Sequence, residues 1–385
     1  MSAVSARIVG SIKAIGPEAW NACANPRSLT EPHPFTTYEF FSALEDTGCA
    51  SLHSGWQPVH LVLADGDAIV AVMPLYAKNH SRGEYVFDWG WAEAFERAGG
   101  TYYPKLQAAV PFTPVTGHRL LVGPDAPKDA AKRLLEAAAA AVDQLGCSSL
   151  HVTFMTEQEW QLAGQQGFLQ RKDQQFHWQN RGYTSFEDFL GQLSSSKRKN
   201  LRKERAAVAA TGIEFDWLTG GDLTENAWDH FFAFYMDTGS RKWGTPYLTR
   251  EFFSVLGERL RHQILLVMAR RGKNWIAGAL NLFGDNVLFG RNWGSIETVP
   301  FLHFETCYYQ AVEFAIANKL TRVEAGAQGE HKLLRGYMPV ATYSAHFISH
   351  PGLRKAVSAF LREERAAVNA SIEQLSELGP YRKSS

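Results

Sequence analysis

No stretch of this sequence approaches the roughly 18 to 20 uninterrupted apolar residues that span a bilayer, so stable membrane insertion is not expected. Cysteine is scarce: Cys23, Cys49, Cys147 and Cys307 lie far apart and form no CxxC pair. That pattern argues for reduced thiols and against a disulfide framework. Net charge is missing as well, because 39 Lys and Arg balance 39 Asp and Glu. No global field draws the protein to nucleic acid or an anionic membrane, and any phosphate binding has to be local. Met1 to Gly16 contain Arg7 and Lys13 and form no continuous apolar region, so a secretory signal is not expected and the expected location is cytoplasmic. GxSxG, GxGxxG and P-loop patterns are absent, which leaves hydrolase, dehydrogenase and NTPase readings without their motifs. His303-Phe304-Glu305 has the form H-x-E, but no Pro-Cys-x-x-Cys follows it, and no metal is expected.

What is present is enough apolar material for two cores: 385 residues with 24 Phe, 13 Tyr and 11 Trp exceed what one core usually serves. Val59 to Ala64, the turn Asp65-Gly66-Asp67 and Ala68 to Tyr76 read as a hairpin. Tyr85 to Trp91 reads as a third strand, Ala130 to Leu145 as a helix and Ser149 to Phe154 as a closing strand. The second half repeats the order. Ile264 to Ala269, Trp275 to Phe283 and Val287 to Trp293 are expected strands, His303 to Ala317 a helix and Arg322 to Ala325 a strand. Both third strands are expected to end in a Trp-Gly pair, Trp89-Gly90 and Trp293-Gly294. Between the halves, Ser185 to Leu193 and the basic stretch Lys197 to Arg205 suggest helices, and Gly352 to Leu378 a closing helix. The division is placed at residue 175, giving domains 1–175 and 176–385.

Several long blocks carry a resemblance. They are His80-Ser81-Arg82-Gly83-Glu84-Tyr85-Val86-Phe87-Asp88-Trp89, Tyr102-Tyr103-Pro104-Lys105-Leu106, Pro111 to Gly117, Lys197-Arg198-Lys199-Asn200 and Glu324 to Lys332. Through them nearly the whole chain resembles the FemAB-like predicted N-acyltransferases. The element order is similar to that of the GNAT acyltransferase fold. The resemblance implies an α/β (α+β) chain of two tandem GNAT-like domains, each a mixed, mostly antiparallel sheet flanked by helices. It also implies transfer of an acyl or aminoacyl group to an amine, such as one on a cell-wall precursor. The co-substrate would be acyl-CoA or aminoacyl-tRNA, with tRNA then the donor's carrier and no tightly bound cofactor.

Amine acylation needs a base, an oxyanion stabiliser and alignment of two substrates. Glu324, Glu330 and His331 are candidate bases, Lys332 is the first choice for the oxyanion, and Gln328 and Arg335 are candidate substrate contacts. Lys332 to Tyr337 resembles the FemAB Phe-Lys-x-x-Phe-Gly pattern, departing from it at His331 and Arg335. Arg198, Arg202 and Arg205 share a helical face and are candidate phosphate ligands, the plainer reading being a solvated helix. Asp88, Glu84 and Lys105 are candidate substrate contacts in the first half, with Lys105 the expected partner of Asp88. Arg291 and Trp293 are further candidate substrate contacts, within a segment that partly resembles the GNAT pyrophosphate loop but ends in Ile296 where a small residue is required. Two other functions stay open: a non-catalytic module binding a phosphorylated metabolite or glycan, and a peripheral lipid-modifying acyltransferase. The closeness of Glu324, Glu330, His331 and Lys332 weighs against the first.

Overall fold

The computed structural model describes residues 4–26, 32–242, 246–326 and 329–382. By contacts the chain divides into two compact units, Met1–Asp173 with Ala341–Ala370, and Gln174–Val340 with Ser371–Ser385. Each is discontinuous, where the sequence reading drew a single boundary.

In the first unit the expected hairpin is His60–Asp65 with Ala68–Met73, antiparallel about Gly66, whose φ of 60° suits a residue without Cβ. With Ser5–Val9 and Leu121–Val122 it forms a four-stranded sheet. A second set of strands carries the candidate residues. Trp56–Pro58, Leu75–Lys78 and Lys105–Ala108 pair antiparallel, Lys105–Ala108 runs parallel to Ser149–Met155, and the latter pairs antiparallel with Tyr343 to Ile348. Helix Ala130–Gln144 buries Leu134, Leu135, Ala138, Ala141 and Val142, the stripe of an amphipathic helix. That stripe packs on Leu106, Leu150 and Val152, each such leucine contributing about 1.5–3 kcal/mol by leaving water.

One expected element is different. Tyr85 to Trp91 is not a strand: Tyr85 adopts φ 60°, and a helix, Trp89–Arg97, starts at the Trp-Gly pair. Trp91, Ala92 and Phe95 recur at helical spacing and pack with Tyr102, Leu353 and Val357. The Trp-Gly parallel between the halves is therefore one of sequence only, since Trp293-Gly294 does lie in a strand. The third core strand of the first half is Lys105–Ala108.

From Ile264 to Glu324 the second unit follows the expected order, and before it stand a strand, Ile213–Leu218, and two helices, Glu225–Lys242 and Arg250–Arg259, that were not expected. Ile213–Leu218, Ile264–Arg271, Asn274–Phe283 and Val287–Ser295 are successive antiparallel neighbours. Arg322–Glu324 pairs parallel with Val287–Ser295 and antiparallel with His177 to Gln179. The helix before it contains a π segment, Glu305–Tyr309, between Leu302–Phe304 and Gln310–Ala317. Trp178, Leu265, Val267, Leu288 and Val323 form the core. The closing helix is Pro351–Glu377. No helix among the described residues is long and apolar enough to cross a membrane.

Candidate functional site

The second unit's site begins where two strands part. Val287–Ser295 and Arg322–Glu324 pair at Val287↔Arg322, Leu288↔Val323 and Phe289↔Glu324, and there the parallel pairing ends. On its other edge Val287–Ser295 stays paired as far as Ser295↔Ala277, with a register shift that leaves Arg291 opposite no residue. A bulge of this kind re-aims the side chain it carries. Arg291 and Trp293 are half-buried here, the Trp293 ring 5.3 Å from that of His303.

At the parting point Glu324 is buried. Its Oε1 accepts from Arg322 Nε at 2.9 Å, while Oε2 makes no hydrogen bond and lies 3.8 Å from His177 Nε2 on the neighbouring strand. Glu324 and His177 are direct cross-strand partners, so the register itself brings carboxylate and imidazole together. Burial lowers the His177 pKa, the Glu324 charge only partly opposing it, so the ring is neutral at pH 7 and able to accept a proton.

After the strand the backbone turns through Gly326 at φ 77° and Gly329 at φ 117°, conformations that favour glycine. The short helix Glu330–Arg335 follows. Lys332 is buried, and its Nζ donates to the carbonyls of Ala325 at 2.6 Å and Gly326 at 3.1 Å. Burial lowers its pKa to about 8, which leaves the ammonium the main form at neutral pH. His331 is exposed, with Nε2 3.0 Å from the Tyr308 hydroxyl, and Glu330 is exposed. Arg335 is buried against the Phe304 ring, 3.4 Å from its centroid, and donates to His331 O and both oxygens of Glu204. Its guanidinium is thus engaged with the protein. Gln328 lies outside the described residues.

The basic stretch forms helix Ser195–Ala209. Arg205 is held by Glu305 at 2.9 Å and Glu313 at 2.8 Å, and Arg202 pairs with Glu187. Arg198 is half-buried. The helix therefore directs one of the three arginines to the π segment, and Glu204 beside it holds Arg335. A cavity of about 390 Å³ lies along this helix, with Arg202, Arg205, Glu305 and Gln310 among its lining residues.

In the first unit Glu84, Asp88 and Lys105 come together as the sequence suggested. Lys105 is fully buried and its Nζ donates to Glu84 Oε2 at 2.8 Å, Ser81 Oγ at 2.9 Å and Asp88 Oδ2. Burial pushes the Asp88 carboxyl up, but Lys105 and His151 beside it outweigh burial and hold it well below the usual range. The corresponding strand parting in this unit is filled by the chain itself. Beyond Ala108↔Val152, the carbonyls of Thr153 and Phe154 accept from Arg119 Nε and Gly117 N, and Arg119 is fully buried.

Among the described residues no group of three or more His, Cys, Asp or Glu is placed to hold a metal ion. A FemAB-like family model, described as peptidoglycan biosynthesis/recognition, matches residues 11–383. The chain belongs to the FemAB-like family. No curated protein matches it in sequence. This FemAB-like chain is similar in fold to the crystal structure of FemX, with TM-score 0.56, 10% identity and coverage of 89% of this chain and 98% of that one. It is similar also to L-PGS from Bacillus licheniformis, with TM-score 0.51, 12% identity, 86% of this chain and 98% of that one. A tandem GNAT protein from the clavulanic acid biosynthesis pathway gives TM-score 0.50, 10% identity, 91% and 99%. The two α/β halves are thus tandem GNAT-type domains.

Sequence reasoning about this FemAB-like protein passed over His177, Tyr308 and Lys78, and took Glu204 as a partner for the cations of its own helix, where the structure pairs it with Arg335. His177 and Lys78 carried a signal: each is a polar residue at an alternate position of a strongly apolar or aromatic run, where an inward-facing side chain is costly without a partner. Tyr308 carried none, and the partner of Glu204 could not be read, because both contacts join segments distant in sequence.

Proposed function

We propose that the chain is an N-acyltransferase that moves an acyl or aminoacyl group from a thioester or an aminoacyl-tRNA directly to an amine. The reaction is assigned to the parting of strands Val287–Ser295 and Arg322–Glu324. The observation that carries this reading is that a buried ammonium, Lys332, donates to the carbonyls of Ala325 and Gly326 in the turn that directly follows a buried carboxylate, Glu324, one oxygen of which has no hydrogen bond. The parted strands leave backbone groups without strand partners, which suits an extended donor.

In this reading the amine nitrogen attacks the donor carbonyl carbon and negative charge develops on the carbonyl oxygen. Lys332 uses two of its three N–H groups on Ala325 and Gly326, which fixes the direction of the third towards that oxygen. The amine's proton passes to the Glu324–His177 pair, directly or by way of water, with His331 and Glu330 the other acceptors in reach of the same turn. Collapse of the intermediate breaks the bond to the thiolate or the ribose oxygen, which leaves with a proton. The family's description supports an amine on a cell-wall precursor as acceptor.

The test is single-turnover transfer of labelled groups from acyl-CoA and from aminoacyl-tRNA to a panel of amines, with products identified by mass. Formation of an amide from one donor class is expected. A folded protein that yields no amide from either class overturns the reading.

A further inference from the structure

The sheet of the first unit that carries Lys105 has one apolar face and one polar face. Tyr76 is the cross-strand partner of Gln107 and Lys78 of Lys105; Gln107 is in register with His151, and His151 with His346. Alternation along the strands sets these six side chains on one side, and all are at most 2% exposed. Leu75, Leu106, Leu150 and Ala345 face the other way, into the core.

Every charge that the strands bring to this polar face is positive. Two lysines directly opposite each other repel, and burying them fully costs several kcal/mol each without counter-charge. Apolar residues at these positions would give a more stable sheet. The strands are therefore built to hold negative charge at this place, and no strand supplies it. Both anions, Glu84 and Asp88, come from the irregular segment 79–88 that covers the face. Lys105 grips Ser81, Glu84 and Asp88 of this segment, while Lys78 donates to Arg82 O at 2.9 Å and lies 3.4 Å from Glu84 Oε1.

The covering segment matches the face imperfectly. Glu84 Oε1, Asp88 Oδ1, Tyr76 OH, Gln107 Oε1 and His346 Nε2 are buried with no hydrogen bond, a concentration of unpaired groups well above what a structural core carries. The segment also holds Tyr85 at φ 60°, a conformation that costs a non-glycine residue energy, and exposes Phe87, 44% accessible, to solvent.

We propose that Lys78 and Lys105 form a binding site for a phosphate-bearing ligand, occupied in this structure by Glu84 and Asp88, which leave when segment 79–88 lifts. A phosphate monoester carries between about −1.5 and −2 charges at neutral pH, so it replaces two carboxylates with little change in net charge. The hydroxyls of Tyr76 and Tyr102 supply further donors. Burial, with Lys105 as a further contribution, brings the Lys78 pKa to about 7; a dianion in the site would favour its protonated form. This site is independent of the transfer chemistry assigned to the second unit.

The probe is inorganic phosphate, titrated into the full chain by calorimetry, with hydrogen exchange of the 79–88 amides followed in parallel. Saturable binding and faster exchange of those amides are expected. Glu84→Gln removes a competing anion and is expected to tighten phosphate binding by about tenfold, the scale of one charge-assisted hydrogen bond. Lys78→Met is expected to abolish it. The gain in Glu84→Gln cannot arise from misfolding, so it stands even if Lys78→Met is unstable. No saturable binding in wild type and Glu84→Gln overturns the proposal, as does binding that Glu84→Gln leaves unchanged or weakens.

Discussion

Glu204 receives Nη2 of Arg335 on both carboxylate oxygens, at 2.8 and 2.9 Å, while Nη1 of the same guanidinium donates to the carbonyl of His331 at 2.6 Å. The basic helix thereby fixes the short helix that carries His331 and Lys332. Glu204→Gln is expected to cost about 3 kcal/mol, because a buried guanidinium loses its counter-charge. Urea denaturation measures this. Transfer by the remaining folded protein should fall through misplacement of Lys332, and an unchanged midpoint would show that the pair contributes nothing to holding the turn.

Lys332→Met is expected to lower the single-turnover rate by about 10²–10³-fold with little change in substrate affinity, the loss typical of one oxyanion donor. Stability should fall modestly too, since the carbonyls of Ala325 and Gly326 lose a partner. The pH dependence has a definite sign. The folded pKa of about 8 lies below the ordinary lysine value of 10.5, so the unfolded chain binds more protons between them and stability rises with pH across that window. Denaturation from pH 7.5 to 10.5 should show a flatter slope in Lys332→Met than in wild type.

If the Glu324–His177 pair accepts the amine's proton, His177→Asn and Glu324→Gln should each remove the acidic limb of the pH–rate profile. His331→Asn and Glu330→Gln should then retain it. The same single-turnover assay across pH 5 to 9 decides, and loss of the limb in His331→Asn or Glu330→Gln alone would move the base to that residue.

Acid should destabilise the first unit. Burial, then Lys105, lowers the His151 pKa to about 3, and burial holds His346 well below its ordinary value. The unfolded chain therefore takes up protons below about pH 6.5 that the folded one refuses, and stability falls as pH drops from there towards 3. His151→Gln should reduce that slope in thermal melts. An identical slope in the variant would mean that other groups dominate acid unfolding.

Arg205→Gln should destabilise the second unit by about 3 kcal/mol, because it leaves Glu305 buried without its ion pair. Arg198→Gln combined with Arg202→Gln should leave stability nearly unchanged. If those two cations hold a donor's phosphates, the double variant should weaken acyl-CoA binding and flatten its salt dependence. Equal stability in the two variants would place Glu305 in a wetter environment than the structure gives it.

The sequence by itself determined the three-strand, helix and strand order from Ile264 to Glu324, the helix over 130–144 and the closing helix, because local period and turn residues act over neighbouring positions; the strand Ile213–Leu218 and the helices Glu225–Lys242 and Arg250–Arg259 went unread. It also determined that Asp88 requires a partner, since a carboxylate between Phe87 and Trp89 is costly to bury alone. Its reading of Tyr85 to Trp91 as a strand failed because Trp91 and Ala92 pack at helical spacing with Phe95, beyond the window considered. Only the tertiary structure decided which charges meet. Strand register sets His177 against Glu324 and Lys78 against Lys105, and helix packing commits Arg205 to Glu305 and Arg335 to Glu204. These are contacts between segments up to 147 residues apart, 177 to 324 in the first case, and their energies depend on burial and distance, neither of which a sequence window contains.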